Sequence, residues 1–349
     1  MGLYRNKEVH PMKEITTLGI DLAKNIYQLH GVDRHGKPIL KKAVSRAKLL
    51  ETLGNLPPCL VGIEACGGAH HWAREIGNLG HQVRIIAPQF VVPYRKSGKN
   101  DANDAEAICE AVSRPSMRFV AIKTLEQQAV LVVHRVREAI KAERTALINQ
   151  IRGLLQEFGI VLPQGAATFS KRLVEALADS EIPLDAVSVF SELRGHLLRL
   201  EERLADYDRK IARLAQDETA RRLAEIPGIG PVTATAAVAT VGDARLFRNG
   251  RELAAWVGLV PRQSSSGGKT RLGRITKQGD SYLRTLFVQG ALVVIRHLGE
   301  KTDPRSQWIR ALVARRGIQK AAVALAAKMV RTAWAIMARG EHYRLAASG

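Results

Sequence analysis

The sequence predicts an α/β domain followed by an all-α region, and three observations carry that expectation. Short β-type runs broken by turn signals begin at Thr16, helix and strand patterns then alternate, and beyond Thr124 the apolar residues recur at helical spacing. The expected boundaries are 1–118, 119–222 and 223–349, in keeping with two or three folded units in a chain of 349 residues.

In chain order, T-T-L-G-I-D-L-A-K and I-Y-Q-L-H-G-V read as strands, D-R-H-G-K as a turn and K-P-I-L-K-K-A-V as a third strand. The run C-L-V-G-I-E predicts a buried strand, residues from about His70 to Leu79 a helix, and V-R-I-I-A-P another strand. A helix then opens in K-S-G-K-N-D-A-N-D-A, with Asp101 as its expected N-cap and Asp104 in its first turn, where the helix dipole favours negative charge.

Helices dominate from T-L-E-Q onward, a capping-box pattern at Thr124 that starts a long helix running to about Phe158. Val133, Val136, Ile140, Leu147, Ile151, Leu154 and Phe158 keep a near-heptad register along it. Leu193, Leu197, Leu200, Leu204, Tyr207, Ile211 and Leu214 keep a stricter one, the mark of a coiled-coil seam. The two helices either pair with each other or pair subunits; the breakers in L-P-Q-G-A-A end the first of them. Further helix starts are expected near Arg251, at Asp280 and after Gly317, and no repeat of solenoid length is visible.

Composition narrows the partners. Hydrophobic residues at 46% and charged residues at 25% describe a folded protein, and 53 Lys+Arg against 33 Asp+Glu leave a net charge of +20. Such an excess calls for a polyanion, because neutralising phosphates releases condensed counterions. The Ala-rich run from Ala321 to Met337 contains Lys328 and Arg331, which argues against a membrane span, and the N-terminus has no signal-peptide core. Residence in the cytoplasm, where the chain is made, is therefore expected. Cys59, Cys66 and Cys109 fit neither a disulfide framework nor a paired-cysteine zinc site.

Against that basic background the carboxylates stand out. Asp21 follows apolar Leu18 and Ile20, and Glu64 follows Leu60, Val61 and Ile63, so both end strands in which a lone buried acid is costly. If those strands are neighbours in an RNase-H-like sheet, Asp21, Glu64, Asp101 and Asp104 converge at one end of it. Like charges ~4 Å apart repel by ~4 kcal/mol at an effective dielectric near 20, and Mg²⁺ or Mn²⁺ would relieve that repulsion. Two such ions suit phosphodiester chemistry.

Two further segments suggest contact with nucleic acid. I-P-G-I-G-P, Ile226 to Pro231, reads as a helix-hairpin-helix in which Gly228 and Gly230 let backbone N–H groups approach a phosphate. P-R-Q-S-S-S-G-G-K-T-R-L-G-R-I-T-K-Q-G-D reads as a flexible, solvated phosphate-binding loop carrying Arg262, Lys269, Arg271, Arg274 and Lys277. Its G-G-K-T is no P-loop, since Gln263 stands where the first glycine is required. A serine among such cations is suited to attack a phosphodiester.

These motifs, namely G-I-D-L-A-K, G-I-E-A-C-G, K-N-D-A-N-D-A, I-P-G-I-G-P and W-V-G-L-V-P-R…S-S-G-G-K…I-T-K-Q-G-D-S-Y-L-R, occur in an order that resembles the IS-one-ten family of insertion-sequence transposases, the DEDD transposases, over almost the whole chain. The resemblance implies a RuvC-like domain with the RNase H fold, an acidic set at Asp21, Glu64, Asp101 and Asp104, and a nucleophilic serine at Ser266 that forms a phosphoserine link to DNA. Ser265 remains the alternative for that role. It also implies a homo-oligomer, dimer or tetramer, whose subunits combine the two sites, and a structured guide RNA that pairs with donor and target DNA. Two rival functions share much of this pattern: a RuvC-like junction endonuclease using metal-activated water, and a non-enzymatic architectural DNA-binding protein.

Overall fold

The computed structural model describes residues 15–96, 100–165, 169–178, 181–266 and 269–344; Lys99, Gly267 and Gly268, and the side chains of Ser266, Lys269 and Thr270, lie outside the described part. The chain divides into two compact units, Met1–Thr124 and Leu125–Gly349. The second unit holds the residues expected as a coiled-coil region, apart from 119–124, together with those expected as a separate C-terminal domain.

The first unit is built on one mixed sheet of β1 (Thr17–Leu22), β2 (Ile26–Val32), β3 (Pro38–Ser45), β4 (Leu60–Glu64), β5 (Gln82–Ile86) and β6 (Phe119–Val120), in the order β3-β2-β1-β4-β5-β6. The first three strands form the expected antiparallel meander, and β4 and β5 then run parallel to β1. The short β6 had no signal in its sequence; it pairs antiparallel at the far edge through Phe119 and Val120. Helices α1 (Leu49–Gly54), α2 (Ala69–Asn78), α3 (Pro88–Val91) and α4 (Asp101–Val112) complete the unit.

Strand alternation gives the sheet two different faces. Leu18, Ile20, Val61, Ile63, Val83 and Ile85 form a core with Trp72, Ala73 and Ile76 of α2. The positions between them are Gly19 and Gly62, which face each other across the parallel β1–β4 pair. Here α4 lies against bare backbone. A Cβ at Gly19 would stand 2.1 Å from Ala105 O and 2.5 Å from Cys109 N, and one at Gly62 would stand 2.8 Å from the Val112 side chain. The side chain of Asn100, not that of Asp101, caps α4 by accepting from Asn103 N at 2.8 Å, so Asp101 is the first helical residue. Asn is as good a cap as Asp, which freed Asp101 from that duty.

In the second unit α5 (Leu125–Gln156) and α7 (Leu184–Leu214) pack against each other, so the apolar seam is filled within one chain. Ile140, Leu147 and Ile151 of α5 meet Leu197, Leu200 and Leu204 of α7 as their spacing predicts. Farther along α5 the buried residue is Leu155, whereas Leu154 is exposed, and the helix ends at Gln156, before the exposed Phe158. A helix with 3.6 residues per turn drifts off a 3.5-residue repeat by ~20° per heptad, enough to move the seam by one position. Helix α6 (Phe169–Ala178), which sequence reading missed, adds Phe169 and Leu173 to this core.

The remaining helices are α8 (Glu218–Ala224), α9 (Pro231–Val241), α10 (Gly250–Val257), α11 (Ser281–Arg296), α12 (Pro304–Arg316) and α13 (Ile318–Arg339). By length and hydropathy α13 is apolar enough to cross a membrane, but Leu325, Met329, Val330 and Ile336 lie in the core of this unit. Aspartate and asparagine side chains at Asp217, Asn249, Asp280 and Asp303 cap α8, α10, α11 and α12.

One buried polar network ties α5 to α9 and α11. His134 Nε2 lies 3.0 Å from Thr235 Oγ1, whose hydroxyl donates to Pro231 O at 2.7 Å, and His134 Nδ1 lies 2.9 Å from the Tyr282 hydroxyl. With the threonine proton already committed, Nε2 donates, and on a neutral imidazole Nδ1 then accepts from the Tyr282 hydroxyl. Burial, aided by the charge of Arg137, holds the His134 pKa down to about 4.

Two outcomes follow from these contacts. Gly19→Ala is expected to cost ~1–3 kcal/mol or more, because its Cβ meets helix backbone that cannot swing aside, whereas Gly77→Ala, with nothing within 4 Å, should be neutral or stabilising. Urea denaturation of both variants checks this contrast. For His134 the unfolded chain takes up a proton near pH 6.5 that the folded chain refuses until about 4, so stability is lost as pH falls through that window. The loss is up to ~3 kcal/mol. In a His134→Gln variant the slope of unfolding free energy against pH between 6.5 and 4 should be visibly shallower than in the parent.

Candidate active site

Asp21 and Glu64 reach one edge of the first unit by the same local rule. Each stands two residues after a glycine that faces α4, in G-I-D and G-I-E, so alternation returns the acid to the α4 face at the C-terminal ends of two adjacent parallel strands. Close packing of α4 on Gly19 and Gly62 brings its first turn to the same edge. Asp101 is exposed there and Asp104 is buried.

The two strand acids feel the charges around them. The pKa of Asp21 is pushed up to about 6, first by burial and then by the charges of Asp104, Asp101 and Glu64, with Arg95 pulling the other way. Glu64 is also raised by burial; Arg95 opposes the shift and Asp104 adds to it. The thiol of Cys66 is raised by burial and then by Asp21 and Glu64.

A guanidinium stands at this edge. Arg95 follows a 3-10 turn at Val92–Tyr94 and places Nε 2.7 Å from Asp104 Oδ1 and Nη2 3.4 Å from Glu64 Oε2. The pair with Asp104 is electrostatic only: buried Nε and buried Oδ1 each lack a hydrogen-bond partner. The neighbouring Lys96 pairs with Glu106 at 2.5 Å. Among the described residues no three His, Cys, Asp or Glu side chains converge tightly enough to hold one metal ion. The donor chemistry nonetheless fits a hard divalent cation: all four groups are carboxylates, and Asp104 Oδ1 is buried without a hydrogen bond.

The second unit holds the other predicted residues. The segment expected as a flexible loop is a β-hairpin of β7 (Pro261–Ser266) and β8 (Lys269–Ile275), and it corrects that expectation. Ser264 pairs with Arg271, Ser265 with Thr270, and Ser266 with Lys269. Position 266 is thus on the ladder face of Ser264 and Arg271, and Ser265 is on the other, where its Oγ accepts from Gln263 Nε2 at 2.9 Å. Arg262, Arg271 and Arg274 are exposed.

The base of this hairpin is fixed by backbone contacts. A Cβ on Gly279 would fall 1.8 Å from Trp256 O, and one on Gly258 would fall 2.1 Å from Gln278 O. Arg284 Nη1 donates to Val257 O at 2.9 Å, which joins α10 to α11 across the hairpin base. Within that turn Lys277 takes a left-handed φ of 55°, unusual for a residue with a side chain. Much of I-T-K-Q-G-D-S-Y-L-R is therefore scaffold.

Gly230 is exposed at the start of α9 and has open space around it, whereas Gly228 is half-buried against α11. There a Cβ at Gly228 would meet Gly290 O at 2.7 Å, and one at Gly290 would meet Gly228 O at 2.0 Å. Arg95 is the residue of the acidic edge that sequence reading missed. It stands alone in V-V-P-Y-R-K with no pattern to mark it, and only the fold brings it to Glu64 and Asp104.

Comparison with known proteins accounts for both units. Residues 18–160 match a family described as a transposase, the DEDD transposase of IS110, and residues 220–313 match the transposase IS116/IS110/IS902 family. A probable family 20 transposase of Pseudomonas aeruginosa is 49% identical over 95% of this chain and 99% of its own length. The transposase for insertion sequence element IS1111A of Coxiella burnetii is 45% identical over 98% of this chain and 94% of its own, and that for IS1328 of Yersinia enterocolitica is 44% identical over 94% and 98%. The chain belongs to the IS116/IS110/IS902 family of transposases, enzymes of DNA cleavage and strand transfer.

Proposed function

We propose that the acidic edge formed by Asp21, Glu64, Asp101 and Asp104 binds Mg²⁺ or Mn²⁺ and cleaves DNA together with a nucleophilic Ser266. What carries this reading is the meeting of four carboxylates from β1, β4 and α4 within electrostatic reach of one another in a protein of net charge +20. Such a cluster works against folding unless a cation answers it. A bound divalent ion would supply Lewis-acid polarisation of a phosphate oxygen.

The chain's own residues do the rest. Asp21 and Glu64 hold oxygen donors at fixed strand ends, and Asp104, buried on α4, holds a third that solvent does not screen. Asp101 borders the edge from the exposed side. Ser266 forms a bond from its oxygen to a DNA phosphorus as a P–O ester bond of the strand breaks. The displaced sugar oxygen leaves as a hydroxyl, taking up the proton that the serine gives up. Arg262, Lys269, Arg271, Arg274 and Lys277 draw the phosphate backbone to the hairpin, and the turn with Gly228 and exposed Gly230 grips it in the manner of a helix-hairpin-helix. In keeping with the family resemblance, the protein acts as a dimer or tetramer on element ends and target, with a structured RNA choosing the sites, at the nucleoid.

Paired substitutions test the division of labour. Ser266→Ala should abolish recombination of plasmids carrying the element ends, and with it any covalent protein–DNA adduct trapped in denaturant, while nucleic-acid binding stays within about twofold. Asp21→Asn should lower cleavage by about 10²-fold or more with the circular-dichroism spectrum unchanged. Normal recombination by Ser266→Ala would hand the attack to water or a DNA hydroxyl, the chemistry of a junction endonuclease; normal recombination by Asp21→Asn would leave only an architectural DNA-binding role.

A further inference from the structure

The acidic edge carries a cation of its own. We propose that Arg95 is a resident counter-ion that competes with the divalent cation for Glu64 and Asp104, so that loading the site requires its guanidinium to leave those oxygens. The inference rests on the metal-binding reading of the acidic set and adds a residue to it.

Geometry supplies the argument. Arg95 touches one acid on a strand and one on α4, with 3.4 Å to Glu64 Oε2 and 2.7 Å to Asp104 Oδ1. It thereby joins two of the elements that would have to share an ion. The contact with Asp104 is a charge contact without a directed hydrogen bond on either atom. What holds the guanidinium there is the surplus of negative charge, and a divalent cation supplies twice the charge at closer range to oxygen. Its backbone is anchored independently of that contact: Arg95 N donates to Val92 O at 3.2 Å, and buried Val91 packs in the core beside α4. This arrangement also accounts for why the carboxylates influence one another and yet no three of them converge on one point among the described residues. A monovalent head group spreads over two of the acids, whereas an ion would gather them.

The test is isothermal titration of Mn²⁺ into the full-length protein at pH 7.5 without nucleic acid, comparing the parent with Arg95→Met, Arg95→Lys and Asp21→Asn. Arg95→Met, which keeps the apolar stem and loses the charge, should bind Mn²⁺ at least tenfold more tightly than the parent. Arg95→Lys should stay near the parent, and Asp21→Asn should lose the high-affinity site. Equal or weaker binding by Arg95→Met, with the site still lost in Asp21→Asn, overturns the counter-ion role and leaves the metal site standing. Binding that persists undiminished in Asp21→Asn, or no binding in any variant, overturns the metal reading and this inference with it. If circular dichroism shows Arg95→Met unfolded, Arg95→Gln takes its place in the same comparison.

Discussion

The first unit depends on one contact, the approach of α4 to the bare backbone of two paired glycines. Gly19 and Gly62 face each other across β1 and β4, and nothing larger than hydrogen fits between them and Ala105, Cys109 and Val112. Backbone packed on backbone leaves the helix no room to slide. Its first turn is thereby fixed against the C-terminal ends of the same two strands, where Asp21 and Glu64 stand one alternation further on. A helix resting on side chains would lie farther out, with Asp104 beyond reach of the strand acids.

That fixation sets up the electrostatics. Packing brings the acids to one edge, and burial first, then the charges of Asp104, Asp101 and Glu64, raise the Asp21 pKa to about 6. Arg95 offsets part of the repulsion through Glu64 and Asp104. On the proposed metal-binding reading, a divalent ion would answer the same negative charge more strongly than that guanidinium does. The second unit follows the same principle: close contacts at Gly258 and Gly279 fix the root of the hairpin, so the exposed arginines and Ser266 ride on a defined stem.

Much of this was legible in the amino-acid sequence where a local rule applies. Short β-type runs between turn signals, and the apolar run before Glu64, marked β1 to β5, and the acids announced themselves as charges after apolar strand residues. The glycines before them were visible as letters, but their purpose depends on which helix returns to cover them, and that is a tertiary fact. Arg95 was silent for the same reason: an arginine beside a 3-10 turn reads as an ordinary surface cation until the chain folds. The hairpin was mistaken for a loop because Ser and Gly outnumber β-branched residues there, so composition hid the antiparallel pairing of the two strands. In α5 the seam shifted from Leu154 to Leu155 because a geometric drift accumulates over a helix of 32 residues.

The account turns on a shared ion at the strand ends, and anomalous diffraction from Mn²⁺-loaded crystals addresses it without intermediaries. It predicts a manganese peak about 2.0–2.3 Å from carboxylate oxygens of Asp21, Glu64 and Asp104, with the Arg95 head group displaced from them. Well-ordered crystals that show the peak elsewhere, or no peak while Arg95 still bridges Glu64 and Asp104 at saturating Mn²⁺, would contradict it.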